Sequence, residues 1–290
     1  MNRKVKFFFQ SQVDVFRGDW LGIAGAIILG CFILMAVFAP LIAPYKPDEM
    51  IYRDGRLQRL QPPSLRHPFG TTQMGHDIFS QVIYGSRAAV LVGVLSAVLV
   101  SIIGTSVGII SGYYGGTIDA FLMRLVDLSF GIPFLPFIII LVALTGLTFW
   151  NVVIGITLLL WRTPARVIRS QVLSLKTRPF VEASRVLGAS NFRIMVFQIA
   201  PNVLPLTFAN TALAMGWAIL TEANISFLGY GDPRMASWGK VLFQVYILQA
   251  MTIAWWWVLA PGLAIILLVL SGFFIGRAYE KVTNPRLKEF

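Results

Sequence analysis

The side chains that could bind a metal or transfer protons are few in this chain. Its only two histidines, His67 and His76, stand nine positions apart, and Asp77 follows the second. Histidine and carboxylate ligands bind zinc, so these three residues could form a metal site, but histidines at this spacing in a polar segment are more often simple polar residues. We therefore assign no metal, and the single cysteine, Cys31, leaves no disulfide framework.

Motifs that bind nucleotide phosphates or carry out hydrolysis are absent from the sequence. The only Gly-Lys pair, at residues 239–240, lacks the earlier glycine and the following Ser or Thr of a P-loop. Neither H-E-x-x-H nor G-x-S-x-G occurs. We therefore expect no catalytic residues and no cofactor on this chain, and a membrane enzyme is the weakest of the hypotheses considered.

A polar, basic stretch at residues 177–205 separates two long apolar segments. Pro179 suits the first turn of a helix, where its missing N–H has no cost. Glu182 falls near the N-terminus of that helix, where the helix dipole favours an anion. Gly188 is expected to end the helix, because glycine adopts the left-handed conformation easily. The pattern predicts a short helix of about nine residues, which is marginal in water on its own.

This short helix needs another surface against its apolar side. Phe180, Ala183 and Leu187 fall on one face, at positions i, i+3 and i+7. Either the membrane surface of the protein covers that face, or the face inserts into a groove on a cytoplasmic partner; spacing alone leaves both open. After the helix, Ser190 or Asn191 can cap a second helix that enters the membrane.

The composition is that of a polytopic membrane protein. The chain has 290 residues, of which 57% are hydrophobic and only 13% charged, against about 25% charged in soluble domains. The net charge of +11 reflects basic loops that stay in the cytoplasm, and we expect lipid rather than nucleic acid as the surrounding partner. The first apolar run exceeds the roughly 7–15 residues of a signal-peptide core, so we interpret it as an uncleaved anchor.

Six apolar stretches reach the length of about 20 residues that a membrane span requires. They are residues 20–43, 88–111, 127–148, 150–170, 203–224 and 252–276. The third and fourth are so close that a tight turn must join them. Pro133 and Pro136 lie in the third and are expected to kink it. The fold class is therefore all-α integral membrane, with six transmembrane helices and both termini on one side.

The basic residues orient these spans. With the N-terminus in the cytoplasm, 16 of the 24 basic residues lie inside, and six of the others fall in the long 44–87 loop, which has little weight in the positive-inside rule. The rule selects the N-in/C-in topology and places the 177–205 stretch in the cytoplasm. The expected parts are a cytoplasmic segment at residues 1–19, a first span at 20–43, an outer loop at 44–87, a five-helix core at 88–276 and a cytoplasmic tail at 277–290.

Several side chains have expected roles in the membrane. Glu222 lies near the outer end of the fifth span, either lining a pathway or at the water interface. Together with Ser226 and Phe227 it is our candidate for the pathway or outer gate. The segment at 225–250 is interpreted as a re-entrant or surface turn, and the three tryptophans at 255–257 as an aromatic belt.

Small residues predict close helix packing in two spans. Gly22, Ala26 and Gly30 recur every four residues in the first span, and Gly104, Gly108 and Gly112 do so in the second. We also expect Arg124 and Asp127, one helical turn apart, to form an ion pair.

Four blocks of sequence resemble the permease subunits of bacterial and archaeal ABC importers, and specifically the second ("C"-type) permease of dipeptide and oligopeptide importers. The cytoplasmic stretch carries the EAA signature of that family as Glu182, Ala183 and Ser184, followed by Gly188. The other blocks are FGTTQMGHD at 69–77 with YGSR at 84–87, ISFLGYG at 225–231 with SWG at 237–239, and WW at 256–257 with PG at 261–262 and NPRL at 284–287.

The resemblance implies the transmembrane domain of a type I ABC importer in the prokaryotic cytoplasmic membrane. It also implies the partners: a homologous permease that forms a heterodimer with this chain, two cytoplasmic ATPase subunits that bind ATP and Mg²⁺, and an extracytoplasmic solute-binding protein. In the loop at 171–202, the short helix is implied to couple the permease to an ATPase. The residues implied in coupling are Phe180, Glu182, Ala183, Ser184, Arg185, Leu187, Gly188, Ala189 and Ser190.

The chain departs from the family pattern at a few positions. Thr72, His76 and Gln81 stand where the family commonly has Asp, Arg and Arg, and Gln198 replaces a common His. The subfamily also includes importers of nickel, glutathione and oligosaccharides, so these cargoes are alternatives to di- or oligopeptides. A stand-alone secondary transporter or channel is a further hypothesis, although such transporters usually have more ionisable residues at membrane depth.

Overall fold

The computed structural model describes residues 15–16 and 18–283, and within them helices dominate. The predicted basic N-terminal segment, apart from residues 15–16 and 18–19, and the tail from residue 284 lie outside the described residues. The helices are α1 (Trp20–Val37), α2 (Ala39–Ile42), α3 (Ile78–Tyr114), α4 (Gly116–Phe130), α5 (Phe134–Thr145), α6 (Phe149–Leu160), α7 (Arg162–Leu175), α8 (Pro179–Val186), α9 (Asn191–Ile194), a π-helix (Met195–Ile199), α10 (Ala200–Phe227), α11 (Trp238–Ile247) and α12 (Trp255–Thr283). One antiparallel hairpin, β1 (Tyr52–Arg53) with β2 (Arg56–Leu57), lies in the outer loop.

Among the described residues, five helical stretches are long and apolar enough to cross a membrane. They are Trp20–Val37, Ile78–Tyr114, Phe149–Leu175, Asn191–Phe227 and Trp255–Lys281. The count reaches the predicted six when α4 and α5, which are bent relative to each other, are taken as one broken span. The all-α membrane fold predicted from composition and apolar length is confirmed.

The third predicted span, residues 127–148, is wrong in its bounds. Two helices, α4 and α5, occupy this region and meet at an angle of 86°. Pro133 has no N–H to donate and disfavours helical geometry in the residue before it, so the break falls at residues 131–133. Pro136 lies in the first turn of α5, where it is tolerated. The tight turn predicted after this span is confirmed at Gly146, where φ is +108°.

The second span begins at Ile78 rather than at residue 88. Asp77 caps the helix by accepting hydrogen bonds from the Ser80 backbone N–H at 2.8 Å and from the Ser80 hydroxyl at 2.7 Å. The end of the predicted 44–87 loop and the second span are therefore one continuous helix of 37 residues, α3.

The small-residue stripe of the second span is a packing surface within this chain. A Cβ atom added at Gly108 would lie 2.8 Å from both the Ala165 carbonyl oxygen and the Ile168 Cβ atom. Gly104 and Gly112 are equally close to α7. Helix α7 therefore lies against the backbone of α3, as small residues at this spacing allow in a membrane.

Of the three small residues predicted to pack in the first span, only Gly22 lies closely against another helix of the described chain. Added Cβ atoms at Gly22 and Gly25 would lie 2.7 Å from Ala278 and 2.8 Å from Phe274 of α12, whereas Ala26 is exposed and Gly30 has nothing within 4 Å. The close α1–α12 contact at the two glycines follows a spacing of three residues, which a helix of 3.6 residues per turn allows as well as four.

Both ends of the described chain lie on one face of the protein. The Lys281 ammonium, at the end of α12, contacts the Asp19 carboxylate at 2.5 Å. Asp19 also caps α1 by accepting from the Gly22 N–H at 3.1 Å. The predicted placement of both termini on one side agrees with this contact.

Substituting Gly108→Leu should separate α3 from α7, because overpacking of a close contact typically destabilises by about 1–3 kcal/mol. Gly30→Leu is the matched control, because the space around Gly30 is open. We expect a thermal unfolding midpoint in detergent that is several degrees lower for Gly108→Leu and unchanged for Gly30→Leu. Equal midpoints for the two variants would show that the α3–α7 contact contributes little to stability.

Candidate functional site

Helix α8, which the sequence analysis places in the cytoplasm, has the start and end that the sequence predicts. Pro179 is its first residue and Glu182 lies in its first turn. Leu187 is the C-cap, and Gly188 follows with φ of +80°, in the left-handed region that favours glycine. Nothing lies within 4 Å of an added Cβ atom at Gly188, so its backbone conformation, not crowding, requires glycine there.

One side of α8 is anchored in the protein. The Val181 side chain is fully buried. The Ser184 hydroxyl donates to the Phe180 carbonyl at 3.0 Å and accepts a hydrogen bond from the Gln198 side-chain amide. Val181 belongs to an apolar cluster that joins α3, α7, α9, the π-helix and α10 to α8. The other buried members are Tyr113, Ile168, Val172, Leu175, Ile194, Met195, Ile199 and Val203.

The opposite side of α8 is uncovered by the described part of this chain. Phe180, Ala183 and Leu187, the face predicted from spacing, are all exposed, Leu187 to 86%. Glu182 and Arg185 are exposed at its edges, and Ala189 is half-buried. The structure thus keeps most of the predicted coupling residues on one accessible surface.

Helix α8 lies beyond the hydrocarbon layer. The stretch Phe149–Leu175, which leads to it, has 27 residues, or about 40 Å of helix. The hydrocarbon core of a bilayer is about 30 Å thick. The exposed face of α8 is therefore carried outside the hydrocarbon on a rigid helical extension.

The chain returns to the membrane through a helix with a π-helical section that the sequence analysis missed. Ser190, one of the two predicted caps, accepts from the Arg193 N–H at 3.3 Å, whereas the Asn191 side chain accepts from the Tyr113 hydroxyl at 2.8 Å. The π-helix Met195–Ile199 precedes Pro201. Prolines have no N–H to donate, so Pro201 and Pro205 were the available signal for irregular hydrogen bonding here.

Arginines on α7 hold α4 in place. Arg169 binds Asp119 through two hydrogen bonds of 2.5 and 2.6 Å. Arg166 pairs with Asp127, so the predicted Arg124–Asp127 pair is wrong. A longer-range partner from a neighbouring helix replaced the local one, and the sequence contains no signal for it.

Glu222 is buried inside the chain rather than at the water interface. Its carboxylate oxygen Oε1 accepts hydrogen bonds from Ser226 and Ser237, both at 2.7 Å. Ser237 also caps α11, so Glu222 joins α10 to α11. The adjoining cavity has a volume of about 20 Å³, too small for any cargo. Phe227 lies apart, with its ring centroid 5.8 Å from that of Tyr246.

The outer segment contains a helix, α11, that the sequence analysis missed. Trp238 is almost fully buried, and its indole N–H donates to the Val82 carbonyl at 2.8 Å. Among the three tryptophans of the predicted belt, Trp255 is exposed but Trp257 is fully buried, so the belt assignment fails for Trp257. Val241 and Val245, four residues apart and buried, were the available signal for α11.

The histidines of the outer loop are structural residues in buried positions. His67 Nδ1 lies 2.9 Å from Asp77 Oδ1, and Asp77 is the cap of α3. Burial lowers the pKa of His76, an effect that the Asp48 carboxylate opposes. No group of three potential ligand residues occurs within the described chain. The sequence analysis did not foresee the burial of the two histidines, and their interpretation as polar residues rather than metal ligands stays a prediction.

Substituting Gly188→Val should loosen α8, because the left-handed conformation costs roughly 1–2 kcal/mol for residues with a Cβ atom. Gly188→Asn is the matched control, since asparagine tolerates this conformation better. We expect trypsin to cut after Arg185 about tenfold faster in inside-out vesicles of the valine variant. Cleavage at the wild-type rate in the valine variant would rule out the conformational role of Gly188.

Comparison with known proteins matches both parts of this architecture. Residues 104–288 match the family of binding-protein-dependent transport system inner membrane components. Residues 8–63 match the N-terminal transmembrane domain of oligopeptide transport permease C.

Similar proteins align with most of this chain. It is 37% identical over 269 residues to the dipeptide transport system permease protein DppC of Alkalihalophilus pseudofirmus, covering 92% of this chain and 86% of that protein. It is 34% identical over 278 residues to the oligopeptide transport system permease protein OppC of Bacillus subtilis, covering 94% and 88%. The chain therefore belongs to the family of binding-protein-dependent inner membrane transport components, the multi-pass permease subunits of prokaryotic ABC importers.

Proposed function

We propose that this chain is one of two homologous permeases that enclose the pathway of an ATP-driven importer of short peptides. The match at residues 8–63 to the N-terminal domain of an oligopeptide permease supports this assignment. The relatives named above are described as dipeptide and oligopeptide permeases. These names favour peptides over nickel, glutathione or oligosaccharides as the cargo.

The exposed face of α8 is the observation that carries the coupling role. Val181 fixes the helix in the protein, while Phe180 and Leu187 remain uncovered. An apolar face held outside the hydrocarbon layer by a rigid helix needs an apolar groove on a partner, as in other helix-in-groove complexes. In this proposal the partner is a cytoplasmic ATPase subunit, which binds the ATP and Mg²⁺ that this chain has no motif to bind.

The anchored side of α8 explains how a displacement of this helix would reach the membrane. Val181 packs in the same apolar cluster as Ile168 of α7, Ile199 of the π-helix and Val203 of α10. Packed interiors are dense and resist compression, so these helices move with α8 rather than independently. Ser184 adds a polar link through Gln198 to the same returning helix. Displacement of α8 by an ATPase would thereby shift two spans together.

The outer surface is the proposed docking face for a solute-binding protein. It consists of the loop between α2 and α3 and of helix α11, which Glu222 and Trp238 tie to the spans. If docking favours the outward-open state and ATP binding favours the same state, each must strengthen the other, because coupling between binding sites is reciprocal.

Leu187→Glu should weaken binding of the ATPase subunits by tenfold or more, because the interface would have to bury an unpaired charge. Leu65→Glu is the matched control: Leu65 is also fully exposed but lies in the outer loop. The measurement is copurification of tagged ATPase subunits with each variant from membranes that contain equal amounts of permease. If the Leu187→Glu variant copurifies with as much ATPase as the wild type, α8 is not the docking element.

The complete importer should take up peptide only when ATP is supplied. The experiment reconstitutes this chain, its partner permease, the two ATPases and the binding protein in proteoliposomes and measures uptake of labelled di- and tripeptides. The same chain alone, with an imposed ion gradient, is the control and should show no uptake. Gradient-driven uptake by the chain alone would instead support a secondary transporter.

A further inference from the structure

A cavity of about 410 Å³ lies where the broken span meets α7 and α10. Its volume falls within the range of about 300–1,000 Å³ that is usual for small-molecule sites. The walls are mostly apolar, with three polar residues among them, Arg162, Thr163 and Asn210. The apolar lining residues are Phe130, Phe134, Leu160, Pro164, Leu213, Ala214 and Trp217.

This cavity lies at membrane depth. Helix α5 runs from the outer tight turn to the break and has 12 residues, a length of about 18 Å. The helical stretch from Phe149 to Arg162 is about 20 Å long. Both distances fall inside a hydrocarbon layer of about 30 Å, and the Arg162 guanidinium donates to the Ser129 carbonyl just before the break.

The surface around the break cannot face lipid. Residues 130–133 are non-helical or at a helix end and are exposed on this chain. Irregular backbone at membrane depth is tolerated only where it is buried in protein or lines a water-filled cavity, because lipid offers no hydrogen-bond partners. The cavity therefore opens toward the interior of the assembled permease pair.

Arg162 differs from the two other arginines on its face of α7. Arg166 and Arg169, about one and two turns further along, each bind a carboxylate. Arg162 contacts the Ser129 carbonyl and lies 4.5 Å from the centroid of the Phe130 ring. No carboxylate among the described residues pairs with it. A guanidinium has five N–H donors, so Arg162 retains donors and an uncompensated charge in the cavity wall.

We propose that this cavity is a subsite of the translocation pathway that binds the terminal carboxylate of a transported peptide, with the Arg162 guanidinium as the donor. A planar guanidinium matches a carboxylate in geometry and charge. The apolar walls, including Phe134 and Trp217, then contact cargo side chains without selecting among them. This inference rests on the proposed peptide cargo and adds the residue that contacts it.

The test compares import of one peptide with import of the same peptide carrying a C-terminal amide, in the complete reconstituted importer. The quantity measured is the ratio of kcat/KM for the acid to kcat/KM for the amide, relative to wild type, so that selectivity of the binding protein cancels. Arg162→Gln should lower this ratio roughly tenfold, as expected for loss of a hydrogen bond to a charged group. Arg124→Gln, which changes an exposed arginine of α4 that does not line the cavity, is the matched control and should leave the ratio unchanged.

A second variant keeps Arg162 and its contact with Ser129. Asn210→Asp places a carboxylate in the same cavity wall, where it would neutralise Arg162 and compete with the cargo. It should also lower the acid-to-amide ratio, and Arg162→Lys, which retains the charge, should preserve most of it. If the Arg162→Gln importer fails to assemble, the acid-to-amide ratios of these two variants still test the proposal.

Failure of the proposed function and failure of this inference give different experimental results. If the wild-type importer transports no peptide, the proposed function is wrong and this inference falls with it. If it transports peptides but Arg162→Gln and Asn210→Asp change acid and amide import equally, the peptide function stands and the carboxylate subsite is overturned. Arg162 would then stabilise the helix break or form an ion pair with a carboxylate of a partner permease.

Discussion

The close approach of α7 to the backbone of α3 is the constraint on which the functional parts depend. Three glycines, Gly104, Gly108 and Gly112, leave no side chain between the two helices. Association of helices in lipid relies on such packing, because no hydrophobic drive exists between them. With α7 fixed against α3, its arginines point toward α4 and its end carries α8 out of the bilayer.

Charged side chains of α7 and α10 have hydrogen-bonding or ionic partners within the described chain, with Arg162 as the exception that lacks a carboxylate. Arg169 pairs with Asp119, Arg166 with Asp127, and Glu222 accepts two serine hydroxyls. Unpaired charge at membrane depth is costly. These pairs also join elements distant in sequence, α7 to α4 and α10 to α11. The same interactions therefore compensate the charges and hold the helices together.

Predictions that rest on backbone preferences at helix ends were confirmed, whereas the ion pair predicted within one helix was wrong, because a distant residue binds instead. The start and end of α8 follow from Pro179 and Gly188, whose backbone preferences are intrinsic. Asp127 instead binds Arg166, 39 residues away. The prolines predicted a kink in the third span but not the 86° angle between α4 and α5. The outer helix α11 was missed because the region was judged by its glycines and aromatic residues.

The sequence by itself determined the membrane class, most of the apolar spans and the family, because apolar length and motif spacing are properties of the chain read in order. Loop charge predicted the orientation in the same way. The sequence also determined which residues of α8 share a face. The tertiary structure alone decided that Val181 is the buried anchor while Phe180 and Leu187 stay uncovered, and that Glu222 is enclosed. Burial depends on which other helices are nearby, and the packing of α7, the π-helix and α10 sets that arrangement.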